Sequence, residues 1–347
     1  MKERSGHITI ADVATRAEVS PASVSRYLNG STGNLSERTA ERIAQAIRDL
    51  GYRPNAWARS IRTRRSGLIA AVVADLNNPY APGVLEGIEA VINRHGYSLL
   101  IASAQNDASH ESVIVERLLN QRIEGILLQP SADRLTAPLS EVLDEHIPLV
   151  LIDRQIRDAA TIDMVGLDNA GAIRTALTHL QQAGYRKILY VTDPPESVSS
   201  RLEREQAVLA GQSQWTAVQI YTRQGPDPKP LLETIQAMLS HPPHAPTALL
   251  CSNGVTALFT VKAIGIGNLK VPAALGLMTI DDPEWAPFVY GGITSLAQPT
   301  FELGSRAARR LMDKLHDQEG LAPTIIRLSG SLIPRSSTTT VSAKREE

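Results

Sequence analysis

Between residues 9 and 51, apolar positions recur three and four apart in three short bursts, the spacing of helices with one buried face. Ile10, Val13 and Ala14 mark a first helix running roughly from Thr9 to Ala17. A second is opened by Ser20 as N-cap and Pro21 at the first helical position, carries Val24 and Leu28 on one face, and is stopped by Asn29-Gly30. The third opens at Ser36, turns Ala40, Ile43, Ala44, Ile47 and Leu50 inward, and ends at Gly51. Two helices joined by a tight turn at Glu18-Val19, with a third to cover them, predict a helix-turn-helix.

The pattern then changes twice. Residues 53–65, Arg53-Pro54-Asn55-Ala56-Trp57-Ala58-Arg59-Ser60-Ile61-Arg62-Thr63-Arg64-Arg65, are basic and too sparsely apolar to fold alone, which predicts a linker with latent helical character. From Ser66, continuous apolar runs alternate with amphipathic stretches. Strands are predicted at 68–74, 97–103, 125–129, 148–152, 187–192, 217–222, 247–251 and 275–280, with helices between most of them, among them 82–94, 109–122 and 170–183. Strands buried on both faces and alternating with helices imply parallel, doubly wound sheets. The pattern restarts near Asp168, so two similar α/β lobes with a ligand cleft between them are expected.

Composition narrows the class. The 347 residues are 43% hydrophobic but only 4% aromatic, so the core must be aliphatic. No apolar run is long enough for a membrane span, and no apolar signal region follows Met1–Arg4, so a cytoplasmic protein is expected. The single cysteine, Cys251, excludes an internal disulfide framework and a Cys-based zinc site. Residues 1–66 hold twelve Lys and Arg against six Asp and Glu, whereas the rest holds 23 against 30. That asymmetry fits a polyanion-binding module on an acidic body, or simply a solvated basic surface.

Enzyme chemistry is poorly served. Gly265-Ile266-Gly267 lacks the third glycine of a dinucleotide loop and follows no strand. The eight His residues show no paired metal-ligand spacing, and no base is identifiable beside Cys251. No metal, cofactor or catalytic group is therefore expected.

On the second helix Pro21, Ala22, Ser25 and Arg26 face outward; Arg can take a guanine edge bidentately, and hydroxyls at a capped helix start can hold phosphates. The strings Ile10-Ala11-Asp12-Val13-Ala14, Val19-Ser20, Val24-Ser25-Arg26, Asn29, Leu50-Gly51-Tyr52 and Pro54-Asn55-Ala56 resemble the lactose/galactose-repressor (LacI/GalR-type) family. The match continues through Asn78-Pro79-Tyr80, Ile152-Asp153-Arg154, Val165–Asn169, Ser252-Asn253, Ile280-Asp281-Asp282 and Gln298-Pro299. The resemblance implies a headpiece at 1–52, a hinge helix or linker at 53–65, and a core at 66–340 resembling periplasmic binding proteins. Within the core, one lobe takes about 66–166 and 299–326, the other about 167–298 and 327–340. It also implies a homodimeric repressor, without metal or cofactor, on a palindromic operator. Thr9, Ser20, Pro21, Ala22, Ser23, Ser25, Arg26, Asn29, Asn55, Ala58 and Ile61 would touch DNA.

For the cleft the resemblance implies Tyr80, Asp153, Arg154, Arg204, Asn253 and Asp281, with Arg201 either a second ligand contact or a surface charge. Converging guanidiniums suit a carboxylate or phosphate, and Asp153, Asn253 and Asp281 would accept from sugar hydroxyls. Arg201–Gln206 and Asp282–Pro287 are similar to repressors of ketogluconate and related sugar-acid catabolism, so a sugar acid such as 2-ketogluconate is the expected effector. Four departures stand out: Glu18 where the headpiece turn usually has Gly, Ile61 where the hinge wedge is usually Leu, Gly254 in place of a frequent Asp, and a short stretch from Arg204 to Tyr221. The polar C-terminus after Ser336 carries no Leu heptads, so a dimer without a tetramerising coil is expected. A solute-binding receptor or a sugar-modifying enzyme on the same lobes is the rival reading; the first has no use for residues 9–65, the second needs a nucleophile, base or metal set.

Overall fold

In the computed structural model the described residues are 8–28, 35–52, 65–159, 161–242, 245–316 and 321–339. The chain divides into two units, Met1–Ser66 and Gly67–Glu347. The first is built as its pattern demands. Helix α1 (Ile10–Ala17) is closed by a reciprocal capping box: Asp12 N–H donates to Thr9 Oγ1 at 3.4 Å, and Thr9 N–H to Asp12 Oδ2 at 2.7 Å. Helix α2 (Pro21–Leu28) starts with Ser23 N–H on Ser20 Oγ at 3.2 Å. Helix α3 (Glu37–Leu50) is capped by Ser36 and closed by Gly51 at φ 59°. Val13, Ala14, Ala17, Val24, Ile43 and Ala46 form its core. Ile10, Leu28, Ile47 and Leu50 pack against that core only half-buried, because three short helices cannot enclose a second layer of side chains.

The second unit holds two six-stranded sheets. The first contains β1 (Leu68–Val73), β2 (Ser98–Ser103), β3 (Gly125–Leu128), β4 (Leu149–Ile152), β5 (Asp163–Leu167) and β11 (Ile325–Leu328), in the order β11-β5-β4-β3-β1-β2. The second contains β6 (Lys187–Thr192), β7 (Ala217–Thr222), β8 (Thr247–Cys251), β9 (Gly276–Ile280), β10 (Thr294–Ala297) and β12 (Ser331–Ile333), in the order β12-β10-β9-β8-β6-β7. The two orders are the same order, so the lobes are repeats of one architecture. All pairings are parallel except β10 with β12.

Helices α4 (Tyr80–Ile92), α5 (Ala108–Asn120), α6 (Ala137–Asp144) and α11 (Thr300–His316) cover the first sheet. Helices α7 (Asn169–Gln182), α8 (Ser199–Ala210), α9 (Lys229–Ser240) and α10 (Gly254–Ile266) cover the second. Four apolar clusters, one on each face of each sheet, account for the aliphatic composition.

Eight strands were expected and twelve are present among the described residues. The four additional strands, β5, β10, β11 and β12, are three to five residues long. Asp163 and Gly166 interrupt the apolar run of β5, while β11 and β12 are short, half-buried edge strands broken by Arg327 and opened by Ser331, so none of the three produces a continuous apolar signal. The chain passes between the lobes three times: at Asp168, at Gln298-Pro299 and at Ser329-Gly330. Because β11 belongs whole to the first sheet, the third passage falls after Leu328, two residues beyond the boundary read from sequence.

Candidate functional site

The first unit presents α2 as an exposed edge. Pro21, Ala22 and Arg26 are exposed, Ser23 and Ser25 half-buried, and Val24 is fully buried beneath them. Thr9 and Ser20, each exposed, cap the two helices that flank the turn. The turn carries a non-glycine residue in left-handed backbone: Glu18 has φ 51°. Arg42 of α3 grips it, Nη2 reaching Glu18 Oε2 at 2.8 Å and Glu18 O at 3.3 Å. Arg16 pairs with Asp49 at 2.9 Å and ties α1 to α3. The remaining candidates for DNA contact, Asn29, Asn55, Ala58 and Ile61, and the hinge segment that holds the last three, lie outside the described residues.

In the second unit, residues from the C-terminal ends of strands in both lobes are drawn together, as parallel sheets dictate for ligand sites. Asp153 follows β4 and Asp281 follows β9, equivalent strands of the two repeats. Each lies in left-handed backbone (φ 64° and 71°), and each donates its N–H to the neighbouring strand, Asp153 to Val165 O and Asp281 to Leu296 O. The repeated strain turns each carboxylate off its strand end and fixes it by backbone.

Glutamines then orient them. Gln129 Nε2 donates to Asp153 Oδ2 at 3.0 Å while its Oε1 accepts from Ala74 N–H, and Ser200 Oγ donates to the same Oδ2 at 3.3 Å. Gln298 Nε2 donates to Asp281 Oδ1 at 2.6 Å, and Gly254 N–H to Oδ2 at 3.1 Å. Burial raises the Asp281 carboxyl above its ordinary pKa against the pull of Arg204.

Arg204 is 4% exposed. Its Nε donates to Asn169 Oδ1 at 2.7 Å and Nη1 to Ser252 O at 2.6 Å, so two of the five guanidinium N–H groups hold the side chain in place. Arg154, equally buried, donates to Pro130 O at 2.9 Å and Asn106 Oδ1 at 3.3 Å, with Nε 3.6 Å from Asp153. Burial lowers its pKa, opposed chiefly by Asp153. The Tyr80 hydroxyl is buried in the field of Asp153, Asp281, Arg204 and Arg154, and burial pushes its pKa well up. Around this centre Tyr80 Oη, Asp153 Oδ1, Arg154 Nε and Gln298 Oε1 are buried with no hydrogen-bond partner among the described residues.

Two expectations change on the geometry. Asn253 is the N-cap of α10: its Oδ1 accepts from Thr256 N–H at 2.8 Å, which leaves its amide N–H groups and one lone pair of Oδ1 for a ligand. Arg201 is not a plain surface charge. It is held by Pro194 O at 3.0 Å and Asp193 Oδ2 at 3.5 Å, and with Arg154, Asn106 and Ser131 it lines a groove of about 580 Å³. Asp193 also takes Arg223 Nε at 2.5 Å, and that guanidinium lies 5.6 Å from the Phe259 ring centroid. Gln129, Asp193, Ser200 and Arg223 carry no signal in the sequence reading, and Asn169 and Gln298 stand in its matched strings without a site role. Gln129 follows β3 beside the strand that delivers Asp153, and its counterpart after β8 is Ser252, so the internal repeat carries no signal for it.

Residues 9–55 match the pattern of the bacterial regulatory proteins, lacI family, and residues 177–338 that of a periplasmic binding protein-like domain. The chain is 38% identical to the HTH-type transcriptional regulator PtxS of Pseudomonas putida over 332 residues, covering 95% of this chain and 96% of that protein. The chain belongs to the LacI family. It is also 31% identical to the HTH-type transcriptional regulator KdgR of Bacillus subtilis, over 97% of this chain and 99% of that one. The fold is that of the lac repressor dimer bound to operator and the anti-inducer ONPF, which superposes with a TM-score of 0.80 at 23% identity, covering 96% of this chain and all of that one. This LacI-type protein is a DNA-binding transcriptional repressor. No described helix is long and apolar enough to cross a membrane.

Proposed function

We propose that this repressor binds a palindromic operator as a dimer and that a small sugar acid in the inter-lobe cleft switches its affinity for DNA. The observation that carries the effector assignment is Arg204, buried and pinned by Asn169 and Ser252 with N–H groups to spare, in a centre where four buried polar atoms make no hydrogen bond among the described residues. Hydroxyls satisfy such atoms, and a carboxylate satisfies the guanidinium. Arg154, Arg201, Arg204 and Arg223 stand among Asp153, Asp193, Asp281 and Glu111, and guanidiniums gathered in one region suit a carboxylate better than they suit a neutral sugar. A 2-keto sugar acid such as 2-ketogluconate supplies one carboxylate and a run of hydroxyls, and the likeness to PtxS and KdgR supports that choice.

Helix α2 enters the major groove with Arg26 at a base edge, Ser20, Pro21, Ala22, Ser23 and Ser25 settle along the backbone, and Thr9 caps the helix that crosses it. Asn29, Asn55, Ala58 and Ile61 complete the DNA contacts in this proposal, with Ile61 as a minor-groove wedge. Operator DNA and a second copy of the chain are therefore the partners, and the protein works in the cytoplasm, where that DNA is.

Calorimetry with matched acidic and neutral sugars tests the effector reading. Binding of 2-ketogluconate that Arg204→Ala removes is the expected result. Tight binding of a neutral sugar or a purine, with every sugar acid failing, overturns the carboxylate clamp and leaves the repressor standing.

A further inference from the structure

Each of the three passages between the lobes is hydrogen-bonded to the network around the cleft. The first, at Asp168, delivers Asn169, whose Oδ1 holds Arg204. The second carries Gln298, which holds Asp281. The third follows β11, where Arg327 sits opposite Gly166 of β5.

Arg327 reads both sides of the junction. Its Nη1 donates to Leu167 O at 3.0 Å, at the end of the first lobe's β5, and its Nη2 donates to Glu203 Oε1 at 2.7 Å, on α8 of the second lobe. The other oxygen, Glu203 Oε2, accepts from Asn169 Nδ2 at 2.7 Å. An unbroken chain therefore runs from Arg327 through Glu203 and Asn169 to the Arg204 guanidinium. Its two ends differ in setting. Asn169 and Arg204 are 1% and 4% exposed, whereas the Glu203 and Arg327 side chains are 29% and 26% exposed on a solvent-open groove.

We propose that Glu203 and Arg327 are positioning residues that couple lobe closure to effector binding by fixing the amide of Asn169, and through it the guanidinium of Arg204. The chemistry constrains the direction. With Glu203 accepting its N–H, Asn169 must present Oδ1 to Arg204; without that acceptor the amide is free to rotate and Arg204 loses one of the two bonds that aim it. Because Arg327 lies on a strand of one lobe and Glu203 on a helix of the other, their 2.7 Å contact bridges the two lobes. Opening the lobes breaks the pair, loosens Asn169 and disarms Arg204; a ligand that engages Arg204 favours the closed arrangement by the same linkage. The proposal rests on Arg204 being an effector ligand, and neither Glu203 nor Arg327 is asked to touch the effector.

The test uses full-length protein, 2-ketogluconate as the probe, and the variants Arg327→Ala, Arg327→Lys, Glu203→Gln and the Glu203→Gln/Arg327→Ala double. Calorimetry should show affinity falling about tenfold in Arg327→Ala and in Glu203→Gln, as expected when a charge-assisted bond that orients a ligand group is lost. The double should be no weaker than the weaker single, since both cut one chain. Arg327→Lys should recover part of the loss.

Hydrogen exchange of residues 167–172 in the ligand-free protein gives an independent readout and should accelerate in Arg327→Ala. Faster exchange or a lower melting temperature with wild-type affinity makes the pair merely structural and overturns the proposal. If wild-type protein binds no sugar acid, the effector reading fails by itself. Exchange then decides the rest: wild-type protection in Arg327→Ala overturns the relay, and lost protection upholds its hold on Asn169.

Discussion

Three of the nine non-glycine residues in left-handed backbone among the described residues stand where function is expected. Asp153 and Asp281 do so in the same place in each lobe, and both deliver a carboxylate to the cleft. Glu18 does so in the headpiece turn, where the steric cost of an L-residue is roughly 1 kcal/mol and the exposed Arg42 pair returns about 0–1 kcal/mol. The substitutions E18G and E18A separate the two terms. E18A keeps the strain and loses the pair, so it should melt below wild type; E18G loses both and should melt at or above it. Thermal unfolding of the isolated 1–65 fragment would show this, and E18A melting above E18G would contradict it. The departure at residue 18 was visible in the sequence, and the Arg42 clasp was not, because its partner lies 24 residues away.

At the scale of elements, the closest packing in the second unit is α4 against α11. The chain carries glycine where the helices meet: a Cβ on Gly87 would lie 2.1 Å from Phe301 O, and one on Gly304 would lie 2.0 Å from Val84 O. Both helices start beside the cleft, one at Tyr80 and the other just after Gln298, so their contact fixes two sides of the site together. G304A must push the helix backbones apart and should cost roughly 1–3 kcal/mol. G265A, in α10 with nothing within 4 Å of the added methyl, should instead gain about 0.5–1 kcal/mol from helix propensity. Denaturant midpoints of the two variants moving in the same direction would refute the close-approach argument.

At the scale of the whole molecule, the headpiece and the two-lobed unit have separate hydrophobic cores. The clusters of the second unit are built only from residues after 66, and the headpiece cluster only from residues up to 52. A fragment of residues 66–347 should therefore fold, keep the calorimetric signal for the sugar acid and lose operator binding. Failure of that fragment to fold would show that the second core needs the first. The headpiece fragment should be the less stable piece, since six fully buried side chains make a marginal core.

Whatever repeats at short range was legible in the sequence. Helical periodicity and caps gave the headpiece, whose observed helices start and stop at Thr9, Pro21, Ser36 and Gly51 as their chemistry requires. Continuous apolar runs gave the central strands, and Ile152-Asp153-Arg154 and Ile280-Asp281-Asp282 gave the strand-end acids. The polar framework of the cleft could not be read this way. Gln129 meets Asp153 across 24 residues, Arg204 meets Asn169 across 35, and Arg327 meets Glu203 across 124. A polar side chain carries no periodic signature. Its partner is decided by which strand ends the parallel order brings side by side, and only the folded sheets fix that order.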